Sequence, residues 1–220
     1  MKNLNQLLLD FNYEQNFKDD DFYVGKSNFY AFEMINKWPK WEKNFLNING
    51  EKFSGKSHLV NIFLKKFNGI RIDVNSLNDE NIKSIKSYQN IILEDLNLNI
   101  NQKLIYSLFN IIDQDNKFLI VTSMKPISEI NFELEDLRSR TKNCLFANIQ
   151  NPDDELMFAL ILKNLSDRQI TLDKKLINFI IKRIERSYGK IFEFIYKIDK
   201  ISLKKKKSID FKIINEALEE

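Results

Sequence analysis

One segment constrains this chain more than any other: Gly50, Gly55, Lys56 and Ser57 match the pattern G-x-x-x-x-G-K-[ST]. Residues 44–49, just before it, alternate apolar and polar side chains as a β-strand does, and residues 57–67 carry the apolar spacing of a helix. The two glycines let the backbone turn its N–H groups around phosphates, at the start of a helix whose dipole favours anions. Strand, loop and helix in this order predict a phosphate-binding loop.

Within that loop the residue types suggest roles. Lys56 would reach the β- and γ-phosphates of a nucleotide, and the Ser57 hydroxyl would hold Mg²⁺. His58 is the only histidine, and we interpret it as a packing or capping residue rather than a base. The predicted nucleotide-binding residues of this segment are Gly50, Ser54, Gly55, Lys56, Ser57 and His58.

Alternating apolar segments indicate the fold class. Strands are predicted at 69–74, 91–93 and 118–121, and a helix is predicted at 103–113. A helix N-capped at Ser27-Asn28 is predicted to stop before Pro39. Strands alternating with helices predict an α/β layer with a parallel sheet. The segments after residue 151 carry only helical periods, at 153–165, 173–186, 190–202 and 211–218. We therefore predict an α/β domain at 15–150 and a small all-α domain at 151–220.

Polar side chains follow two of the apolar strands. Glu94 and Asp95 end the run 91–93, where carboxylates can position Mg²⁺ and polarise a water molecule. Thr122 and Ser123 end the next run, where a hydroxyl could hydrogen-bond the γ-phosphate or an attacking water. The alternative for each pair is an ordinary solvated end of a strand.

Two arginines stand in the segment after residue 135. Arg138 and Arg140 carry planar, permanently charged guanidinium groups that suit the stabilisation of a transferring phosphoryl group. The alternative is membership in surface ion pairs.

Composition narrows the class of protein. A single cysteine, Cys144, excludes a disulfide scaffold, and a net charge of +3 argues against a chain that grips nucleic acid over its whole surface. No apolar run approaches the roughly 18 residues that cross a bilayer, and no secretory signal is recognisable. We expect a soluble, cytoplasmic protein without membrane partners.

Taken together, these segments resemble the DnaA-type replication-initiator ATPases of the AAA+ superfamily. The resemblance follows the chain in order through residues 22–28, the loop ending at His58-Leu59, Leu93-Glu94-Asp95, Thr122-Ser123, residues 137–140 and the helical segment 186–190. It implies an AAA+ P-loop fold with a parallel sheet, followed by a helical lid at 151–220. It also implies ATP or ADP with Mg²⁺ as the ligand.

The resemblance also assigns roles to residues. Arg140 is implied as an arginine finger that completes the nucleotide site of another molecule, with Arg138 as second choice. Val24 and Asn28 are implied to line the adenine pocket, and Lys190 to contact the phosphates from the lid. The implied catalytic set is Glu94, Asp95, Ser123 and, in trans, Arg140; the implied metal ligands are Ser57 and Glu94.

Features at the two ends of the chain select a branch of the family. Gln6, Leu7, Leu9 and Phe11 resemble the peptide that binds the bacterial sliding clamp, so residues 1–14 are predicted to form a clamp-binding arm. We expect no helix-turn-helix module that reads DNA after the lid. This combination is similar to the Hda-type regulators of the family, which bind the clamp on DNA and promote hydrolysis of ATP held by the initiator DnaA.

Other functions within the family remain open. The alternatives are a DnaA-related helicase loader or initiation factor, and an initiator variant that binds DNA. Assembly of copies of the chain with one another is also open. The chain has Glu94 where many initiators have aspartate, Met124 where an acid is usual, and Lys190 in place of a lid arginine. These departures predict weak intrinsic hydrolysis.

Overall fold

A computed structural model describes residues 22–97 and 101–219. Its centre is one five-stranded sheet in the order β2-β3-β4-β1-β5, in which all neighbouring strands run parallel. The strands are β1 (Phe45–Gly50), β2 (Ile70–Asp73), β3 (Asn90–Leu96), β4 (Phe118–Ser123) and β5 (Leu145–Ile149). Parallel strands bring their carboxyl ends to one edge, and ligands of such sheets bind at that edge.

Helices connect the strands and then follow them. They are α1 (Phe29–Lys37), α2 (Lys56–Lys66), α3 (Asp79–Ile85), α4 (Gln102–Gln114), α5 (Glu135–Lys142), α6 (Asp154–Asp167), α7 (Lys174–Ile181), α8 (Tyr188–Lys205) and α9 (Phe211–Glu219). Short 3₁₀ turns occupy Val74–Ser76 and Ile127–Glu129. The predicted α/β fold with a parallel sheet and a helical part behind it is confirmed.

Two apolar clusters cover the two faces of the sheet. Strand β1 shows how they divide, because successive side chains of a strand point to opposite faces. Phe45 packs with Ile105 and Phe109 of α4, whereas Leu46 and Ile48 pack with Leu59 and Phe63 of α2. All six residues of β1 are buried. The loop that leaves β1 therefore starts from a strand that is buried along its whole length.

A third apolar cluster belongs to helices α6 to α9, with Met157, Ile161, Ile177, Ile195 and Ile214 among its members. Two buried residues of this helical part belong to a cluster on the sheet instead. Leu156 of α6 and Tyr188 of α8 belong to the cluster that contains β1 and α2. These two contacts set the helical part against the carboxyl edge of the sheet.

Two local expectations differ from the structure. The α1 helix begins after Asn28, but the Asn28 side chain makes no capping bond and instead binds Gly25 N–H and the Tyr23 carbonyl. The helix predicted at 173–186 ends at Ile181.

The residues predicted to bind a clamp lie outside the described residues; they are Gln6, Leu7, Leu9 and Phe11. No helix within 22–97 or 101–219 is both long and apolar enough to span a bilayer.

Candidate phosphate-binding site

The loop between β1 and α2 has the backbone shape that its glycines predict. Gly55 precedes α2 with φ 93°, in the left-handed region that favours glycine, and a Cβ there would lie 3.0 Å from Phe22 Cε2. At Gly50 a Cβ would lie 3.0 Å from the Cβ of Ile149. Side chains at these two positions would distort the loop, so the spacing of the glycines is a geometric requirement.

The ammonium group of Lys56 is folded back onto this loop. Its Nζ donates hydrogen bonds of 2.8 Å to the carbonyls of both Gly50 and Glu51. Burial lowers the pKa of Lys56, against the opposing fields of Asp95, Glu51 and Glu94. A buried cation with acids around it and two carbonyl acceptors is a group that a phosphate can recruit.

A cavity of about 330 Å³ opens between the loop and helices α6 and α8. Residues 52–58 and Asp95 line one side, and residues of the two helices, including Leu160 and Phe192, line the other. Ser54, Gly55, Lys56, Ser57 and His58 of the predicted set therefore meet in one place. Cavities of roughly this size accommodate small ligands.

Asp95 reaches this cavity because strand β3 is irregular there. The pairing of β3 with β4 shifts between Leu93 and Leu96, and Asp95 has φ 58°. The Asp95 N–H donates to Thr122 Oγ1 at 3.0 Å, which fixes the bulge. Bulges re-aim side chains next to functional sites. Here the bulge accompanies a change of side: Asp95 lines the cavity, and Glu94 does not.

Glu94 has a different environment. It is 6% exposed, and one carboxylate oxygen pairs with the guanidinium of Arg71 on the neighbouring strand, while the other makes no hydrogen bond to any residue that the structure describes. Arg71 also donates to Asn61 Oδ1 at 2.8 Å. A Mg²⁺ ion at Glu94 would compete with this guanidinium. Ser57 and Asp95 offer oxygens that line the cavity, so these two side chains fit a phosphate-bound Mg²⁺ better.

Ser123 does not line the cavity, and its hydroxyl is hydrogen-bonded elsewhere. It is buried, donates to the Lys125 carbonyl at 2.6 Å and accepts from Asn47 Nδ2 at 2.9 Å. Asn47 itself is fully buried; its amide nitrogen also donates to the Val121 carbonyl, and its oxygen accepts from Ile127 N–H. The hydroxyl of Ser123 therefore stabilises the loop that follows β4.

The two arginines of α5 lie away from the cavity. Arg140 shares a small depression with Asn44 and Leu119, at the amino ends of β1 and β4, so it lies at the opposite edge of the sheet from the phosphate loop. It binds Asp113 and Asn110 of α4. Arg138 lies 3.6 Å from Glu135 and is more exposed.

Three residues assigned by resemblance lie outside the lining of the cavity. Val24 is 37% exposed, and Asn28 is buried on the Tyr23–Gly25 backbone. The ammonium of Lys190 lies 2.8 Å from Glu193, and this hydrogen bond raises the pKa of Lys190. In this conformation the Lys190 side chain is directed along α8.

Residues that the motif did not single out join the loop and the sheet to helix α8. Glu51 binds the start of α8, and the Phe53 ring stacks on Phe192 with 4.6 Å between centroids. The Tyr188 hydroxyl donates to the Gln150 carbonyl at 3.0 Å, and burial raises the pKa of Tyr188. The motif leaves positions 51 and 53 undefined, so pattern matching gave no signal for either.

The sheet is parallel, the loop at 50–57 follows β1 between β4 and β5, and a helical unit lies over the cavity. This is the fold of AAA+ P-loop NTPases. In sequence the chain is similar to the chromosomal replication initiator protein DnaA of Thermoanaerobacter sp. strain X514, with 26% identity over 227 residues, 91% of this chain and 51% of that protein. It is 24% identical to DnaA of Buchnera aphidicola, over 97% of this chain and 55% of that protein. No family model matches the chain.

Solved structures share the fold. Domain III of Thermotoga maritima DnaA has a TM-score of 0.75 at 19% identity, covering 94% of this chain and 97% of that one. AMPPCP-bound DnaA from Aquifex aeolicus has a TM-score of 0.68 at 19% identity, covering 84% and 66%. A T. maritima RuvB variant has a TM-score of 0.71 at 14% identity, covering 93% and 72%. The chain thus resembles the AAA+ domain of DnaA and spans about half the length of those curated relatives.

Proposed function

We propose that this chain binds an adenine nucleotide at residues 50–57 and acts in a DnaA-related step of replication initiation. One observation carries the nucleotide proposal: Lys56 is buried at the mouth of a glycine-framed loop and donates to two carbonyls that a phosphate can replace. The similarity to DnaA in sequence supports the biological setting, and a solved DnaA relative is bound to AMPPCP.

The residues of the site have distinct tasks in this proposal. The backbone N–H groups at the start of α2 receive phosphate oxygens, and Lys56 turns from the loop carbonyls to the phosphates. Ser57 and Asp95 would hold Mg²⁺, which neutralises phosphate charge when bound. Loop residues 52–58, α6 and α8 exclude water from the phosphates.

The finer proposal is regulatory. Residues 6–11 would bind the sliding clamp, which links the chain to DNA indirectly, and Arg140 would act on ATP held by the initiator DnaA. The place of Arg140 suits action in trans, because it lies at the sheet edge opposite the phosphate loop of its own molecule. Its guanidinium would have to leave Asp113 and Asn110 to do so.

Nucleotide binding is tested by calorimetry with ADP and ATP in the presence of Mg²⁺. Lys56→Ala should weaken binding by at least about tenfold, since the buried cation is lost. Lys66→Ala is the matched control, because it removes a lysine from the other end of the same helix. Absence of binding by the wild-type chain, or equal binding by Lys56→Ala, would refute the nucleotide site.

The regulatory role is tested by phosphate release from ATP-loaded initiator with clamp on DNA. Wild-type chain should stimulate release, and Arg140→Ala should not, although it still binds nucleotide and clamp. Replacing Gln6 and Phe11 with Ala should abolish co-elution with the clamp. If Arg138→Ala, rather than Arg140→Ala, loses stimulation, Arg138 is the arginine finger and Arg140 is not.

The alternative proposal is a DnaA-related helicase loader or initiation factor with its own turnover. It predicts ATP hydrolysis by the chain alone, stimulated by single-stranded DNA. Hydrolysis that single-stranded DNA stimulates without initiator or clamp would favour this alternative, and hydrolysis that appears only when both are present would favour the regulator. Tight, sequence-selective binding of duplex DNA by the chain would instead favour a DNA-binding initiator variant.

A further inference from the structure

The phosphate loop is joined to helix α8 by the side chain of Glu51. Its carboxylate accepts hydrogen bonds from Tyr188 N–H at 3.0 Å and Gly189 N–H at 3.2 Å, and also from the Ser187 hydroxyl. The first N–H groups of a helix have no partner within the helix. Glu51 supplies that partner from a residue 137 positions earlier in the chain.

Ser187 completes this arrangement. Its hydroxyl accepts from Lys190 N–H at 3.3 Å, as an N-cap side chain does, while it donates to Glu51. Gly189 contributes by lacking a side chain, since a Cβ there would lie 3.0 Å from a Glu51 carboxylate oxygen. The start of α8 is therefore shaped around a carboxylate that comes from the phosphate loop.

A second contact joins the same two elements one turn further along α8. The Phe53 ring stacks on Phe192 at an interplanar angle of 12°. Phe53 has φ 68°, so a bulky residue holds a backbone conformation that glycine would adopt more easily. Strain of this kind persists where neighbouring contacts over-determine it.

Glu51 also touches the group that would meet the ligand. Its backbone carbonyl accepts from Lys56 Nζ at 2.8 Å, while its side chain binds α8. A phosphate that draws Lys56 away therefore changes the hydrogen bonding of the residue that fixes the lid. We infer that Glu51 is a positioning residue that couples helix α8 to occupancy of the phosphate loop, an inference that rests on the proposed nucleotide binding.

The test is hydrogen exchange by mass spectrometry on the full chain, with and without ADP and Mg²⁺. In wild type, ADP should slow exchange of the Tyr188 and Gly189 amides. In Glu51→Ala these amides should exchange at least about tenfold faster without ligand, and saturating ADP should no longer slow them. The affinity for ADP should fall about five- to fiftyfold, a range typical of coupling between sites.

Two further variants keep the result specific. Glu51→Gln retains one acceptor oxygen without the charge, so its exchange and affinity should lie between wild type and Glu51→Ala. Asp173→Ala is the matched control, because Asp173 caps α7 by accepting from Lys175 N–H and makes no bond to the loop. It should speed exchange in α7 while leaving ADP affinity within about twofold of wild type.

The outcomes separate the two proposals. If the wild-type chain binds no adenine nucleotide, the proposed function fails, and exchange without ligand still decides whether Glu51 fixes α8. If wild type binds ADP but Glu51→Ala binds equally well, or still shows ADP-dependent protection at residues 188 and 189, the role of Glu51 is overturned. Equal exchange of those amides in unliganded wild type and Glu51→Ala would overturn it as well.

Discussion

Arg71 on β2 and Glu94 on β3 form an ion pair across two neighbouring parallel strands. The Arg71 side chain is 37% exposed, whereas the Glu94 side chain is 8% exposed. Loss of the pair therefore costs more free energy at Glu94 than at Arg71, because an unpaired buried charge is costly.

Removing Arg71 should destabilise the chain. We expect Arg71→Ala to lower the free energy of unfolding by about 1–2 kcal/mol, less than for a fully buried pair because Arg71 is partly solvated. Glu94→Gln in that background should restore part of the loss, since the buried charge is gone. Urea unfolding measures both. A gain in stability for Arg71→Ala would contradict the pairing.

The matched control is an ion pair in which both side chains are exposed at the surface. Arg186 lies 2.8 Å from Asp154, and both side chains are about 60% exposed. Arg186→Ala should change the free energy of unfolding by less than about 0.5 kcal/mol. Similar losses for Arg71→Ala and Arg186→Ala would mean that burial of Glu94 carries no cost.

Nucleotide affinity should depend on the charge of Lys56. Burial lowers the pKa of Lys56 in the free chain below 10.5, and a bound phosphate favours the charged ammonium and raises that pKa. Binding then takes up a proton once the pH exceeds the lowered pKa, so ADP affinity should fall as the pH rises above that lowered pKa. Titrations from about pH 7 upward measure this.

Lys56→Arg provides the comparison, because a guanidinium stays charged over this range. Its ADP affinity is expected to vary less with pH than that of wild type, whatever its absolute value. An identical pH dependence in the two proteins would place the titrating group elsewhere.

Arg140 should contribute to stability whether or not it acts on another molecule. It binds Asp113 and Asn110 and lies over the Tyr106 ring, 5.7 Å from the centroid. Arg140→Ala should lower the free energy of unfolding by about 1 kcal/mol, and Arg138→Ala by less than about 0.5 kcal/mol, because Arg138 makes one exposed ion pair. Chemical denaturation of both variants tests the difference; a larger loss for Arg138→Ala would count against it.

Replacing Asn47 of β1 should destabilise the chain. It is fully buried and satisfies Val121, Ser123 and Ile127 at once. Asn47→Ala removes these three hydrogen bonds from a buried site and should cost about 2–4 kcal/mol, as measured by thermal or urea unfolding. Asn36→Ala, at an exposed helix position, should cost less than about 1 kcal/mol. Comparable losses would show that Asn47 is replaceable.

Much of the fold could be predicted because its signals are local. The alternation before Gly50 and the helical spacing after Lys56 place β1 and α2 within one residue of their observed ends. The short elements gave weaker signals. Strand β5 is only half-buried along its length, α5 is mostly polar, and α3 has only 7 residues, so none carries a strong periodicity.

In the candidate site, too, local features could be predicted from the sequence, and contacts between distant residues could not. Neighbours in sequence form the phosphate loop, and its residues from Lys52 onward line the cavity. The different directions of Glu94 and Asp95 depend on a bulge held by Thr122, and the bond from Glu51 to α8 joins residues far apart in the chain. Periodicity and spacing report local structure, so contacts of this kind require the folded chain.

The strand direction of the sheet has a consequence for assembly. Arg140 lies near the amino ends of β1 and β4, and Lys56 lies beyond the carboxyl end of β1. Contact between Arg140 of one molecule and the phosphate loop of another would thus join two unlike surfaces. Head-to-tail contacts of that kind leave one surface of each type unused at the ends of a row, so the number of molecules depends on whether successive rotations close into a ring.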